Sequence, residues 1–382
     1  MKDRHWYQGQ GRLDLGEFRV LATGLMLGGF IALLLWAGPI HAGEAQEASA
    51  TRGTRVSLVA GGDVMFGRLI AGRLHRRGYH RPFRRIRHLL SGQDLVMCNL
   101  ETPITATTLY QRKGSRLVFR AEPEAAKVLR DAGFNLIVTA NNHAQDQRGA
   151  GIVETIRHLR SQGLHWVGTG LSPEGAWRPY IFRKGNVSVG VLAVTRLVNY
   201  SMRQRDGFLA HLTRQTVRKA LPPLVADLSR KVDFVVVSLH WGTEYMHDVI
   251  GRERLLIRKL ARAGAAVFIG HHPHVLRGIQ VRDGLVAFYS LGNLSFDAPR
   301  GDRGESGLAH VIFEKAPDGT KSVHAEFIPL RLDAHGLPHP PQSADRKFLL
   351  KRMMHYSRRF RSTTRLVIRD GRLLVEPAPR SQ

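Results

Sequence analysis

From Val56 onward one arrangement recurs: a short apolar run closes abruptly in polar side chains able to bind a metal or share a hydrogen bond. VSLVA (56–60) runs into Gly61-Gly62-Asp63, DLVMC (94–98) into Asn99-Leu100-Glu101, and NLIVTA (135–140) into Asn141-Asn142-His143. FVVVSL (234–239) runs into His240-Trp241-Gly242, AAVFI (265–269) into Gly270-His271-His272-Pro273-His274, and GLVAFYSL (284–291) into Gly292-Asn293. Continuous apolar runs of this length suit strands buried on both faces. Between them lie helical patterns closed by Gly133, Gly163 and Gly264, each placed to end a helix in the left-handed conformation. Alternating helix and strand predicts an α/β fold with a largely parallel sheet, in which ligands sit beyond the carboxyl ends of the strands. Asp63, Glu101, Asn142, His143, His240, His272 and His274 all fall at those ends, so the pattern predicts that they converge.

The flanking segments read differently. Residues 1–19 are polar and basic, and Val20 to Ile40 follows without a charged residue. That run is long enough for a membrane-spanning helix. Positive charge before it orients the N-terminus to the cytoplasm and the bulk of the chain outside. Residues 20–42 are thus an anchor or an export signal cleaved after the Pro39–Ala42 stretch, and 43–55 a polar linker. The working domain is expected over 56–300, on the extracytoplasmic side in either case. Residues 301–382 complete or flank it with paired strands (308–313 with 322–332, and 364–375 about Asp370-Gly371) and a basic helix over 345–360.

Composition narrows the chemistry. The 382 residues carry 57 Lys and Arg against 31 acidic residues, a formal charge of +26. Such a balance favours anionic partners, although an arginine-rich coding bias gives the same excess. Nucleic acid is not expected, because no reading element is present and an exported chain rarely meets it. The single cysteine, Cys98, excludes an intramolecular disulfide and a thiolate cluster, and reads as a small buried apolar residue.

Two carboxylates, an amide oxygen and several imidazoles form a mixed oxygen and nitrogen set that suits Mn, Fe or Zn better than Ca or Mg. Six ligands exceed the need of one structural zinc and suffice for two divalent ions that assist attack on a phosphorus centre. In His272-Pro273-His274, alternate residues of an extended segment would point the same way. Each residue also has a plainer reading. Asp63 could cap a following helix, Asn142-His143 could form a turn, Glu101 could be a paired structural acid, and His240 could pack as a core ring. Arg68 could bind a phosphate or carboxylate, or form a surface ion pair. The basic, aromatic-interleaved stretch Arg73–His88 could meet a polyanion, anionic lipid or only solvent.

At these residues the sequence resembles the capsule-synthesis CapA family, also called the poly-gamma-glutamate biosynthesis family, and through it the calcineurin-like metallophosphatases. The motifs are GGDVMFGR (61–68), NLETPI (99–104), NNHAQD (141–146), HWGTEY (240–245), GHHPHVLRG (270–278) and YSLGNLSFD (289–297). The resemblance implies a four-layer αββα sandwich with the motif loops at one edge. It implies Asp63 as a ligand of the first ion, Glu101 as the bridging carboxylate, and Asn142, His240, His272 and His274 completing two sites. His143, with Asp146, takes the catalytic proton-transfer role, while Arg68, Asn141, His271 and Asn293 are candidates for substrate contact. The implied activity is metal-dependent hydrolysis of a phosphoester, or of an amide or ester, in the synthesis or export of an anionic surface polymer. Polymer synthase or export subunits are the implied partners; the competing reading is a non-catalytic, polymer-binding export partner. Three positions depart from the family pattern: Met65 replaces a histidine usual in metallophosphatases, Arg148 replaces a common glycine, and His271 replaces a small residue.

Overall fold

The computed structural model describes residues 53–78, 82–106, 108, 117–199, 205–297 and 300–379. The expected cytoplasmic segment 1–19, the membrane segment 20–42 and most of the linker lie outside the described residues, as do Tyr79, His80 and Arg81 of the basic stretch. Among the described residues no helix is long and apolar enough to cross a membrane.

Two large sheets organise the chain. In the first, strands Thr54–Val64, Leu95–Leu100, Leu136–Val138 and His165–Val167 run parallel in that order. On the other side of Thr54–Val64 the sheet continues antiparallel through Glu305–Lys315, Lys321–Leu332, Arg372–Pro377 and Thr364–Arg369. In the second, Val187–Thr195, Phe234–His240, Ala265–His271 and Leu285–Leu291 are parallel neighbours, with Tyr180–Lys184 and Leu276–Arg282 added antiparallel at the edges. The expectation of a largely parallel sheet therefore holds for the half that carries the site and fails for the remainder. Strands joined by short turns, such as those flanking Asp370-Gly371, can only pair antiparallel, whereas parallel pairing needs a crossover.

The continuous apolar runs follow from layering. Along Thr54–Val64, Leu58 and Ala60 face a core shared with Val191, Val236 and Ile269 of the second sheet, while Val59 turns to the opposite face. That outer face is covered by helices Arg68–Arg77 and Glu124–Ala132, through Ile70, Leu74, Ala125 and Leu129. The second sheet repeats the scheme, with Val236 inward and Val235 and Val237 outward against helices Val217–Ser229 and Gly251–Arg262. Side chains alternate along a strand, so a strand with helix on one face and sheet on the other must be apolar at every position. The order is helix, sheet, sheet, helix. Helix Glu124–Ala132 ends at Gly133, whose φ of 104° lets its N–H return to the Leu129 and Arg130 carbonyls.

Gly62 shows how closely the site end of the first strand is built. A Cβ there would stand 1.9 Å from the Gly292 carbonyl oxygen, and Asp63 N–H donates to that same oxygen at 3.0 Å. Gly62→Ala is therefore expected to lower stability by about 2–3 kcal/mol, since backbone rather than a flexible side chain must move. Thermal melting followed by circular dichroism measures the loss; an unchanged midpoint would show that the two loops are not packed this tightly.

Candidate metal centre

Strand ends from both sheets deliver the candidate residues to one place. Asp63 closes Thr54–Val64, Glu101 follows Leu95–Leu100, Asn142 and His143 follow Leu136–Val138, and His240 ends Phe234–His240. His271, His272 and His274 leave Ala265–His271, and Asn293 follows Leu285–Leu291. The register enforces the meeting: Asp63 pairs with Asn99 and with Asn293, and His271 with His240.

Glu101 lies at the centre. It is fully buried, its Oε1 is 3.5 Å from His240 Nε2, 3.9 Å from His274 Nε2 and 4.0 Å from His143 Nε2, and neither carboxylate oxygen has a hydrogen-bond partner. Ligand atoms of Asp63, Glu101 and His240 lie within 4.8 Å of one another, as do those of Glu101, His272 and His274. Glu101 thus belongs to both groups. A buried carboxylate without donors is costly to leave so, and a cation resolves it. The donor set fits a divalent metal.

The two acids are driven apart. Burial lifts the Glu101 carboxyl well above its ordinary range, and Asp63, Glu244 and Asp146 add to the rise. Burial also acts against Asp63, but the imidazoles of His271 and then His274 and His240 outweigh it and hold that carboxyl below the usual range. His240 is pushed well down by burial and by His272, and His272 falls to about 3 through burial and His274. The depressed His240 and His272 favour the neutral imidazoles that metal binding requires, whereas the raised Glu101 carboxyl must give up its proton as an ion binds.

The supporting bonds are specific. Asn99 Nδ2 donates to Asp63 Oδ1 at 2.8 Å and lies 3.3 Å from His240 Nδ1, and the His272 backbone N–H donates to Asp63 Oδ2 at 3.1 Å. Asn142 Oδ1 is 2.7 Å from His240 Nε2, and Asn293 Oδ1 is 2.9 Å from His274 Nδ1, so Asn293 orients that ring. His271 Nδ1 stands 3.2 Å from Asp63 Oδ1, out of line for a hydrogen bond. His143 Nδ1 meets Asp146 Oδ2 at 2.7 Å, the Phe119 ring stacks on the imidazole at 4.0 Å, and the Phe119 N–H donates to Asp146 at 2.6 Å.

Two candidates for substrate contact are otherwise engaged. Asn141 is fully buried, with its amide group donating to Leu100 O and Asn99 Oδ1 and accepting the His143 N–H. Arg68 sits at the rim, half-exposed and 3.4 Å from Asp297, whose neighbour Phe296 packs on His274. The plainer reading of Asp63 as a helix cap does not hold, because the next helix begins at Arg68 with Gly67 as its cap.

The extended geometry expected for His272-Pro273-His274 is also corrected. His272 and His274 have φ of 95° and 59°, so this segment is a turn, pinned by the Tyr245 N–H to Pro273 O bond of 2.8 Å. Backbone strain of this kind is kept where surrounding contacts over-determine it. The sequence departures have structural meaning too. Arg148 takes φ of 58°, the region a glycine enters freely, and the Met65 sulfur accepts the Gly67 N–H at 3.0 Å instead of offering a ligand. Asn99 closes an apolar run in the sequence but is given no role there, although it stands two residues before Glu101 at the end of strand Leu95–Leu100. Phe119 and Asn199, which accepts from Asn142 Nδ2 at 3.0 Å, come from loops and carry no such signal.

Residues 57–298 match the family described as Bacterial capsule synthesis protein PGA_cap. The chain is 33% identical over 267 residues to the PGA biosynthesis protein CapA of Bacillus subtilis, covering 69% of each chain. It is 28% identical over 295 residues to the Capsule biosynthesis protein CapA of Bacillus anthracis, covering 76% of this chain and 70% of that one. A crystal structure of a phosphatase of Mycoplasma pneumoniae aligns with a TM-score of 0.46 and 15% identity, over 79% of this chain and 99% of that one. With the family match spanning most of the described domain, the chain belongs to the bacterial capsule synthesis proteins of the PGA_cap family.

Proposed function

We propose that this protein serves the synthesis, export or release of an anionic surface polymer of the poly-gamma-glutamate type. In this reading residues 20–42 anchor it or direct its export, and the site acts outside the cytoplasm as a hydrolase with two divalent ions, Mn, Fe or Zn. The observation that carries the hydrolase reading is Glu101, a fully buried carboxylate with two unpartnered oxygens common to both candidate ligand groups.

Asp63, His240 and Asn142 would share Glu101 in holding one ion, and His272 and His274 the other. When bound, such ions supply Lewis acidity that polarises a phosphoryl or carbonyl group and offsets charge developing on it. The remaining work falls to the chain. Asp146 accepts from His143 Nδ1–H, which leaves Nε2 on the Glu101 side to carry a proton to the leaving oxygen. Phe119 covers the imidazole and keeps the ring from turning.

Elemental analysis of the purified chain, followed by a phosphoester panel, tests this reading. Divalent metal is expected to co-purify, and chelation is expected to remove both metal and turnover, with re-addition restoring them. Turnover that survives complete chelation would overturn the proposal. The Met65 sulfur supports a second reading, because a ligand usual in metallophosphatases is absent there and the site could serve only structure. An Asp63→Asn/His143→Gln chain that still restores polymer production in a deletion strain would favour that export-partner role.

A further inference from the structure

Directly beside the metal-ligand cluster lies a cavity of about 90 Å³ lined by Arg196, Arg214, Arg218 and Arg252, with Trp241 as part of its wall. Its position is tied to the centre by the backbone. The Arg196 N–H donates to the carbonyl of His240 at 2.9 Å, and its guanidinium donates to Gly242 O at 3.1 Å. Gly242 in turn packs against Pro273, between the two histidines of the turn.

The positive charge lining this cavity is only partly compensated. Glu253 is its one acidic lining residue, and that carboxylate is committed to buried Arg277 by two bonds of 3.1 and 2.7 Å. Among the described residues, none of the four lining arginines has a carboxylate within ion-pair distance. Arg196 is half-buried, and its basicity is lowered by that burial and by Arg252, with Arg214 adding to the effect against Glu253. Arg214, Arg218 and Arg252 are exposed around the same concavity, and the planar forks of such guanidinium groups match carboxylate oxygens bidentately.

We propose that this arginine cavity is a second anionic subsite, which holds a carboxylate of a polyanionic chain while another segment of the same chain lies at the metal centre. The inference rests on the polymer reading above and extends it to the substrate class: the preferred ligand carries repeated carboxylates, not one isolated anionic group.

Equilibrium binding of a short fluorescent γ-linked glutamate oligomer to the full chain, at fixed ionic strength, tests the subsite. Arg214→Gln/Arg252→Gln is compared with Arg254→Gln/Arg258→Gln, which removes the same charge from a different cavity flanking the same helix. The first pair is expected to weaken binding at least about tenfold, through lost charge-assisted bonds. The second is expected to change it less than about threefold, because Arg254 and Arg258 line a different cavity and exposed charges away from the bound anion contribute little. Equal losses would reduce the effect to general surface attraction and overturn the proposal. Inorganic polyphosphate of matched charge forms the second arm, and arginine dependence confined to polyphosphate would overturn the carboxylate assignment. Both arms are repeated on chelated protein, where the arginine dependence is expected to persist. Failure of the hydrolase reading then leaves this result standing, and binding indifferent to Arg214 and Arg252 removes the subsite without touching hydrolysis.

Discussion

Glu101→Gln is expected to bind divalent metal more weakly by on the order of a hundredfold or more, while the metal-stripped variant melts at a higher temperature than the metal-stripped parent. The two effects share one cause. Glu101 is fully buried with neither oxygen hydrogen-bonded, so without a cation it is a cost to the fold, and a neutral amide costs less. With metal present the same carboxylate supplies charge to both ligand groups. Loss of residues that merely orient ligands already weakens metal sites about 10–100-fold, so loss of a shared direct ligand should exceed that. The pH dependence sharpens the expectation. Burial, followed by Asp63, Glu244 and Asp146, raises the Glu101 carboxyl above its ordinary value of 4.5. Above that value the folded chain retains a proton that the unfolded chain has released, so stability falls as pH rises until the folded group also ionises. His240 and His272, with depressed values, act in the opposite sense below the ordinary histidine value of 6.5, where the unfolded chain takes up protons first. The difference between parent and Glu101→Gln melting curves, both metal-free, isolates the Glu101 part. It should widen as pH rises from about 4.5. A metal-free variant that melts no higher than the parent across that window, or one with unaltered metal affinity, would show that Glu101 is paired by other means.

The convergence on Glu101 was legible because strands buried on both faces leave only their ends for polar side chains. Asp63, Glu101, His143 and His240 stand out against unbroken apolar runs, and the parallel order of those strands brings their carboxyl ends together. The αββα layering was legible only through resemblance, since apolar periodicity cannot tell which face of a strand meets a helix and which a second sheet. Other features had no local signal. Helix Val217–Ser229 contains Pro222 and Pro223, which disguise it. The turn at His272 and His274 depends on bonds from Asp63 and Tyr245, far away in sequence. The four arginines of the cavity are spread from Arg196 to Arg252, two before helix Val217–Ser229, one in it and one in helix Gly251–Arg262, so no single segment of sequence displays them together. Net charge favoured an anionic partner, although an arginine-rich coding bias gives the same excess. The charge could not say where among 57 basic residues that partner would be gripped.

His143→Gln is expected to lower kcat on phosphoesters with poor leaving groups by about 10²–10⁴-fold while leaving metal content near that of the parent. The separation follows from geometry. His143 is outside both candidate ligand groups, and its Nδ1 is spent on Asp146 at 2.7 Å. Its Nε2 faces the Glu101 side at 4.0 Å, where a leaving oxygen held at the centre would need a proton. A proton donor matters least when the leaving group departs easily as an anion. The loss should therefore shrink as the leaving group becomes more acidic and be smallest for a nitrophenyl ester. A purely structural role predicts equal losses across the series. Asp146→Asn supplies the finer distinction: Asp146 acts through His143, so this change should produce a smaller loss and move the acidic or basic limb of the pH–rate profile without altering metal content. If His143→Gln instead strips the metal, or slows good and poor leaving groups alike, His143 is part of the metal centre and the proton must come from another group.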